Sequence, residues 1–429
     1  MASLEEVVLT QPGVPIAPLA CDNANGDLIV RANDLIHDEK GHTYRIIKKL
    51  GYGQFGQVFQ VIEVFQNHQR SSPSSNRNEQ DALTNISYAL KISKSLPKIR
   101  QHIEKEASIF RYIQQESRFS NNVANRGHSD INANNSNSQE YDNFVHLYDT
   151  FTYNGHFCML QELLSFDFHQ IMMRHNFKGL KIALVQTTAR QLLESLVVLK
   201  NLGIVHGDIK PENILLSDGF SDSVKIIDFG SAWVQPTTNS SPNSKNSNNP
   251  NNNSKENKNP PFYIQSRYYR APEVVLRLPY GPSIDIWSLG CLLFELFIGL
   301  PLFPGQNEIN LLQLIVESFG QIPPEMVASS PRREEFFDQN GFWKGENEIC
   351  RQKNIPVVEG MRYFMYSEID KLILEYRFGR GVTPEAQRQQ THFRRLFIDL
   401  LLKMLAVDPN QRISPEEALE HSFITTDMS

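Results

Sequence analysis

The chain is poor in cysteine, has no excess of basic charge and contains no CxxC pair. Its four cysteines, Cys21, Cys158, Cys291 and Cys350, lie far apart, which excludes a zinc ribbon or a disulfide framework and suits a reducing compartment. Lys and Arg number 42 against 48 Asp and Glu, a net charge of −6. Nothing in that balance argues for nucleic-acid binding, and no polybasic stretch argues for an anionic membrane surface. The opening residues, Met1-Ala-Ser-Leu-Glu-Glu, place no positive region ahead of an apolar run, so no secretory leader is expected. The most membrane-like run, Ile286 to Phe303, is broken by Gly290, Glu295, Gly299 and Pro301 and reads as a core helix followed by a loop.

What is present fits a globular chain: 40% apolar and 21% charged residues over 429 positions, enough for two to three core-forming units. Three stretches depart from that texture, 67–87, 117–140 and 236–261. They are rich in Asn and Ser and poor in aliphatics, so they bury too little surface to offset ordering entropy. They read as insertions within a folded domain, which long loops permit because each doubling of loop length costs only about 0.6 kcal/mol. Up to about residue 164 the remaining pattern is strand-rich: Tyr44 to Leu50, Val58 to Phe65, Tyr88 to Ile92, Phe144 to Phe151 and Phe157 to Glu162. One helix interrupts it, with Ile99, Ile103, Ala107, Phe110 and Ile113 at helical spacing. Beyond residue 164 helices dominate, among them a Leu192, Leu193, Leu196, Leu199 stripe closed by Gly203. The expected fold is α+β, a small β-rich lobe (44–164) and a larger helical lobe (165–424) with a cleft between them.

Gly51-Tyr-Gly53-Gln-Phe-Gly56 is a weak signal alone. The flanks decide its meaning, because Gln57 to Phe65 alternates with β-branched residues and reads as a strand rather than the helix that follows a dinucleotide fingerprint. The glycines then occupy a hairpin turn whose N–H groups can approach phosphates without Cβ obstruction. In the next strand Lys91 stands among apolar neighbours. By itself it reads as a solvent-facing lysine, but Glu106 lies on the inward face of the helix, and a buried-side carboxylate needs a cation.

The strongest signal is Val205-His-Gly-Asp208-Ile-Lys210-Pro-Glu-Asn213-Ile-Leu215-Leu, followed by the strand Val224-Lys-Ile-Ile227 and Asp228-Phe-Gly230. Phosphoryl transfer needs a carboxylate to orient and deprotonate a hydroxyl, a cation on the γ-phosphate, oxygen ligands for Mg²⁺ and a cradle for phosphates. Asp208, Lys210, the pair Asn213 and Asp228, and the glycine hairpin supply these in a single chain order, which is far more specific than any one tripeptide.

On these motifs the chain resembles the eukaryotic protein kinases over roughly Tyr44 to Ile424. Ala271-Pro-Glu273 resembles the end of the activation segment, Asp285-Ile-Trp-Ser-Leu-Gly290 the start of the buried central helix, and Asp408-Pro-Asn-Gln-Arg412 supplies the arginine that pairs with Glu273 in that fold. The resemblance implies ATP and Mg²⁺ as cofactors and an adenine pocket of Leu50, Val58, Ala89 and Leu215. It also implies a hinge from Glu162 to Leu164, and activity on Ser or Thr of protein substrates, with a following Pro preferred. Tyr263-Ile-Gln-Ser-Arg267-Tyr-Tyr-Arg270 and Gly299-Leu-Pro-Leu-Phe-Pro-Gly305 resemble the dual-specificity tyrosine-regulated kinases of the CMGC group. Leu164-Ser-Phe-Asp-Phe168, Asn176 to Leu180 and Leu196 to Lys200 resemble their Yak-type branch, with the homeodomain-interacting kinases second. Asp27 to Ile36 resembles the short N-terminal box of that family, so residues 1–43 are expected as an extension ahead of the domain. A monomer acting on proteins, in cytoplasm or nucleus or both, is the corresponding expectation.

Four positions depart from the pattern. Gly207 stands where most kinases carry Arg, which implies another activation route. Pro261 replaces the first of two tyrosines, leaving Tyr263 as the expected autophosphorylation site, with Arg267 and Arg270 as candidate partners for its phosphate. Gln161 occupies the gatekeeper position, usually Phe. The Asn-rich insertion 236–261 falls inside the activation segment. A catalytically silent scaffold would be marked by loss of the strand lysine or a catalytic aspartate, whereas Lys91, Asp208, Asn213 and Asp228 are all present.

Overall fold

Strand alternation sends successive side chains to opposite faces of a sheet, and here it separates a core from a row of polar chemistry. The computed structural model of the protein describes residues 7–17, 20–64, 86–127, 142–235, 261, 263–357, 363–379 and 381–427. It is an α+β protein of two units, Met1–Glu116 with Val145–Leu164, and Ser117–Phe144 with Ser165–Ser429.

The first unit is a six-stranded antiparallel sheet in the order β1-β2-β3-β4-β6-β5. Its strands are β1 (Leu35–His37), β2 (Thr43–Gly53), β3 (Gly56–Glu63), β4 (Ser87–Ser93), β5 (Leu147–Tyr153) and β6 (His156–Glu162), with helix α1 (Pro97–Gly127) between β4 and β5. Phe59, Val61, Leu90, Ile92, Cys158 and Leu160 turn into one core with Tyr44, Ile46 and Phe151. The residues alternating with them, Val58, Ala89, Lys91 and Gln161, fall on the other face, with Val58 opposite Lys91 and Ala89 opposite Gln161.

The N-terminal stretch is not an extension ahead of this unit. Leu28, Val30 and Ile36 belong to the same core, β1 pairs with β2, and the buried Thr10 hydroxyl donates to the Leu28 carbonyl at 2.8 Å. The apolar run there is too short to announce a core element by periodicity, because its partners lie far along the chain. Two insertion boundaries also move. Ser87 opens β4, and α1 continues to Gly127 through residues read as an insertion from Ser117. A polar composition does not by itself end a helix, because after nucleation each further residue adds a hydrogen bond. The rest of the three insertions, 67–85, 128–140 and 236–260, lies outside the described residues.

The second unit is helical, with α2 (Phe168–Arg174), α3 (Ile182–Asn201), α4 (Ser283–Ile298), α5 (Glu308–Phe319) and α6 (Pro384–Met404) as its main described helices. Two small antiparallel pairs carry the chemistry: β7 (Ile204–Val205) with β10 (Trp233–Val234), and β8 (Ile214–Leu216) with β9 (Val224–Ile226). Helix α4 is buried from Ile284 to Ile298 and stops at Gly299, whose φ of 93° is left-handed. Helix α3 is long and apolar enough to cross a membrane, yet Val185, Ala189, Leu192, Leu193 and Leu196 are buried within the unit, as in a core helix. Gly203, at φ 67°, follows its end. Beneath α4 the carboxylate of Glu273 receives two guanidinium hydrogen bonds from Arg412, at 2.6 and 3.0 Å, with both side chains fully buried.

Candidate active site

In the first unit the glycine hairpin closes with Gly53 paired to Gly56 across a turn of Gln54 and Phe55. The three glycines have different reasons to be there. A Cβ on Gly56 would run into the Ile92 carbonyl oxygen, so packing demands glycine at that position. Among the described residues, a Cβ on Gly51 or Gly53 would meet no atom within 4 Å. Packing therefore does not explain these two, and glycine there leaves the space beside the backbone open to a ligand. Leu50, just before them, is exposed.

The Lys91 ammonium donates to both Glu106 oxygens, at 2.8 and 2.7 Å, and the Glu106 side chain is buried. The helical period that put Glu106 on the inward face thus delivers the pairing read from the sequence. Ala89 and Gln161 face each other across β4 and β6, and Tyr88 faces Glu162. The Glu162 carboxylate accepts from the His146 backbone N–H at 3.2 Å, and Leu164 is half-buried at the last position of the unit.

In the second unit the loop between β7 and β8 collects the catalytic types around one carboxylate. Asp208 Oδ2 accepts from Lys210 Nζ at 2.7 Å and from Asn213 Nδ2 at 3.1 Å. Its Oδ1 accepts from the Ser266 hydroxyl at 2.7 Å and the Ser266 backbone N–H at 3.1 Å. Lys210 also donates to the Ser266 hydroxyl, at 3.1 Å. Asn213 gives its amide hydrogens to the Asp208 carboxylate and backbone carbonyl, leaving its amide oxygen as the atom that can meet a cation. Asp228, after β9, adopts a φ of 62°, and its Oδ1 accepts the Gly230 N–H at 3.1 Å. Oxygen donors of this kind, a carboxylate and an amide carbonyl, are the chemistry Mg²⁺ takes, so the residues present fit that ion. Leu215 sits in β8, half-buried and paired with Lys225.

Sequence reasoning missed what holds this loop. Asp285, fully buried in the first turn of α4, accepts the backbone N–H of His206 at 2.7 Å and of Gly207 at 2.9 Å. Burial raises its carboxyl above the usual range, against the pull of His206 and these two N–H groups. Gly207 has a φ of 72°, and a Cβ there would strike the side chain of Ile264. Its glycine is thus dictated by the returning activation segment, whose Gln265 N–H bonds the Gly207 carbonyl at 2.9 Å. Ser266, Gln265 and Ile264 had no signal of their own in the sequence beyond their place before Ala271-Pro-Glu273.

The expected regulatory residues are together but not as drawn. Arg270 lies over the Tyr263 ring at 4.0 Å from its centroid, and Tyr263 is 70% exposed. Hydrogen bonding to Arg270, then its charge, lowers the Tyr263 hydroxyl below its usual range. The Arg270 guanidinium is itself buried and already donates to the Ile264 and Gln265 carbonyls and to Glu308, at 3.0, 2.9 and 3.0 Å. Arg267 donates to the Gln306 carbonyl at 2.7 Å. Both guanidiniums have partners, which a phosphate on Tyr263 would have to join or displace.

One further cluster, Cys21, Asp22 and His156, brings three metal-ligand types within 4.8 Å. His156 Nε2 and Asp22 Oδ1 are 2.8 Å apart and share a hydrogen bond.

Known proteins similar to this chain are protein kinases. The protein kinase domain family matches residues 112–424. Serine/threonine-protein kinase ppk15 of Schizosaccharomyces pombe is 32% identical over 97% of this chain and 68% of its own length. Dual specificity protein kinase YAK1 of Saccharomyces cerevisiae is 32% identical over 97% of this chain and 46% of its own. Human dual specificity tyrosine-phosphorylation-regulated kinase 4 is 30% identical over 91% of this chain and 59% of its own. The chain thus spans about two thirds of the fission-yeast protein and about half of the other two.

Proposed function

The chain belongs to the protein kinases, in the Yak-type branch of the dual-specificity tyrosine-regulated kinases, and on that premise we propose how its residues perform the transfer. It is a protein serine/threonine kinase, which takes ATP as its phosphate donor. The observation that carries the assignment of roles is the Asp208 carboxylate, held at both oxygens by Ser266, Lys210 and Asn213.

The hydroxyl of a substrate Ser or Thr approaches Asp208 in place of the Ser266 hydroxyl, and Asp208 accepts its proton as the oxygen attacks the γ-phosphorus. The bond to the β-phosphate oxygen breaks, and that oxygen leaves with the electron pair. Lys210, already 2.7 Å from Asp208, offsets charge on the transferring phosphoryl group. In the first unit Glu106 fixes the Lys91 ammonium so that it meets nucleotide phosphates without reorganising. Gly51 and Gly53, where a Cβ would meet open space, let the hairpin backbone come close to the same phosphates. Mg²⁺, when bound, neutralises phosphate charge, and Asn213 and Asp228 are the residues that would hold it. In the first unit Leu50, Val58, Ala89 and the 162–164 segment are assigned to the adenine.

The finer reading is a kinase that prefers Ser or Thr followed by Pro and matures by phosphorylating its own Tyr263. Support for the second part is the exposed Tyr263 ring against Arg270, which offers cationic partners to a dianion. Mass spectrometry of the purified enzyme tests it. Phosphate on Tyr263 in wild type and none in Lys91→Met is the expected result, and fully active enzyme with unmodified Tyr263 refutes it.

A further inference from the structure

We propose that the N-terminal stretch of this chain positions the phosphate-cradling hairpin, through a latch made of Asp27, Lys94 and Tyr52. The proposal rests on the kinase reading above and deepens it, by making residues outside the glycine motif part of the nucleotide site.

Tyr52 stands between Gly51 and Gly53, where no core requires a large side chain, and it is 53% exposed. Its hydroxyl is nevertheless tied at both ends. It accepts from Lys94 Nζ at 3.0 Å and donates to Asp27 Oδ2 at 3.3 Å. The ammonium groups of Lys49 and Lys94 lie 4.8 and 5.2 Å from its ring centroid. Asp27 is 1% exposed, its Oδ1 has no hydrogen-bond partner among the described residues, and the Lys94 ammonium lies 3.5 Å from that oxygen. A buried carboxylate with one oxygen unsatisfied is costly to keep. Its neighbours show what it holds.

Two more ties run from the same stretch and its neighbour to the hairpin. The buried Gln57 side chain donates to the Leu28 carbonyl at 3.0 Å and accepts from Lys49 at 2.9 Å. The Lys94 N–H donates to the Phe55 carbonyl at the turn, at 3.0 Å, and the Ser95 N–H donates to the Gly26 carbonyl, at 2.9 Å. Both strands of the hairpin and its tip are thus fastened to residues 26–28 and 94–95. If the stretch served only to seal the sheet, its contacts would end at the core where Leu28, Val30 and Ile36 already lie. Instead polar ties gather at the open end of the hairpin, around the two glycines that packing leaves unexplained. Fixing a loop in its binding conformation beforehand removes ordering cost from ligand binding, so the latch acts on nucleotide affinity.

The test is Mg-ADP affinity of the full chain by direct titration, beside steady-state kinetics with ATP, for Tyr52→Phe, Asp27→Asn and the double variant. Tyr52→Phe keeps the ring and removes only the hydroxyl. It is expected to raise the Kd for Mg-ADP and the KM for ATP about three- to tenfold, the range of one or two lost hydrogen bonds. The kcat and the KM for the protein substrate should stay at wild-type values. The double variant should bind no more weakly than the weaker single variant, because both changes open one latch. Wild-type nucleotide affinity in Tyr52→Phe overturns the proposal, as do multiplying effects in the double variant. Should the wild type bind Mg-ADP but transfer no phosphate, the kinase reading fails, and the affinity ratios still decide the latch.

Discussion

The buried ion pair of Glu273 with Arg412 gives the most direct forecast for the second unit. Both side chains are 0% exposed, and the guanidinium also donates to the Ser283 and Ala406 carbonyls, at 2.8 and 3.1 Å. Arg412→Met removes the cation and strands a carboxylate that water cannot reach. Breaking a buried pair from one side costs about 3–5 kcal/mol, mostly desolvation of the charge left behind. The two carbonyls that lose their donor add to it. At about 2–4 °C per kcal/mol for a unit of this size, the melting temperature should fall by roughly 6–20 °C. Removing both charges is a different experiment. Glu273→Gln combined with Arg412→Met leaves no buried charge, so it should recover a large part of that loss. Thermal unfolding of Arg412→Met, Glu273→Gln and the double variant by circular dichroism measures this. Arg412→Met melting with wild type, or a double variant weaker than Arg412→Met by the full Glu273 cost, would refute the reasoning.

Glu295, in α4, has a carboxyl pushed up to about 7, by burial first and the charge of Glu212 further, against the hydrogen bond from Tyr269. Because the folded value is raised, stability is greatest where both states keep the proton and falls as pH rises from about 4.5 to about 7, by about 3 kcal/mol in all. Glu295→Gln should flatten that decline in urea titrations at several pH values, and an unchanged slope would count against it. Gln161→Phe should strengthen inhibitors that stack on a Phe gatekeeper and leave ATP affinity nearly unchanged; equal inhibitor affinities would refute the gatekeeper assignment of Gln161, which faces Ala89 across the sheet. Gly207→Arg should lower activity rather than restore a phosphate anchor, since φ 72° and the Ile264 side chain both resist a Cβ. Activity at or above wild type would contradict this.

The sequence made the Lys91–Glu106 pair legible because each partner sits in a local period, one of strand and one of helix, and charge then demands the match. Asp208, Lys210, Asn213 and Asp228 were legible as an ordered set. Arg412 could be matched to Glu273 only through the family resemblance, since nothing local in either segment points across 139 positions. Ser266 had no such help: it meets Asp208 across 58 positions, and a lone serine carries no pattern. The same holds for Asp27, whose neighbours read as an extension although they share the core of the sheet. Composition misled at 117–127, because a polar segment reads alike whether it continues a helix or leaves it. Gly207 was noticed for the arginine it replaces, whereas the structure gives its own reason, the contact with Ile264.

The central claim is that the Asp208 constellation transfers phosphate to proteins. Incubating wild type and Asp208→Asn with Mg-ATP and a degenerate peptide library, and locating the phosphate by mass spectrometry, tests it most directly. The account requires phosphate on Ser and Thr from the wild type, enriched where Pro follows, and none from a folded Asp208→Asn protein. Transfer by Asp208→Asn at a rate near wild type, or a folded wild type that binds Mg-ATP and phosphorylates no peptide, would contradict it.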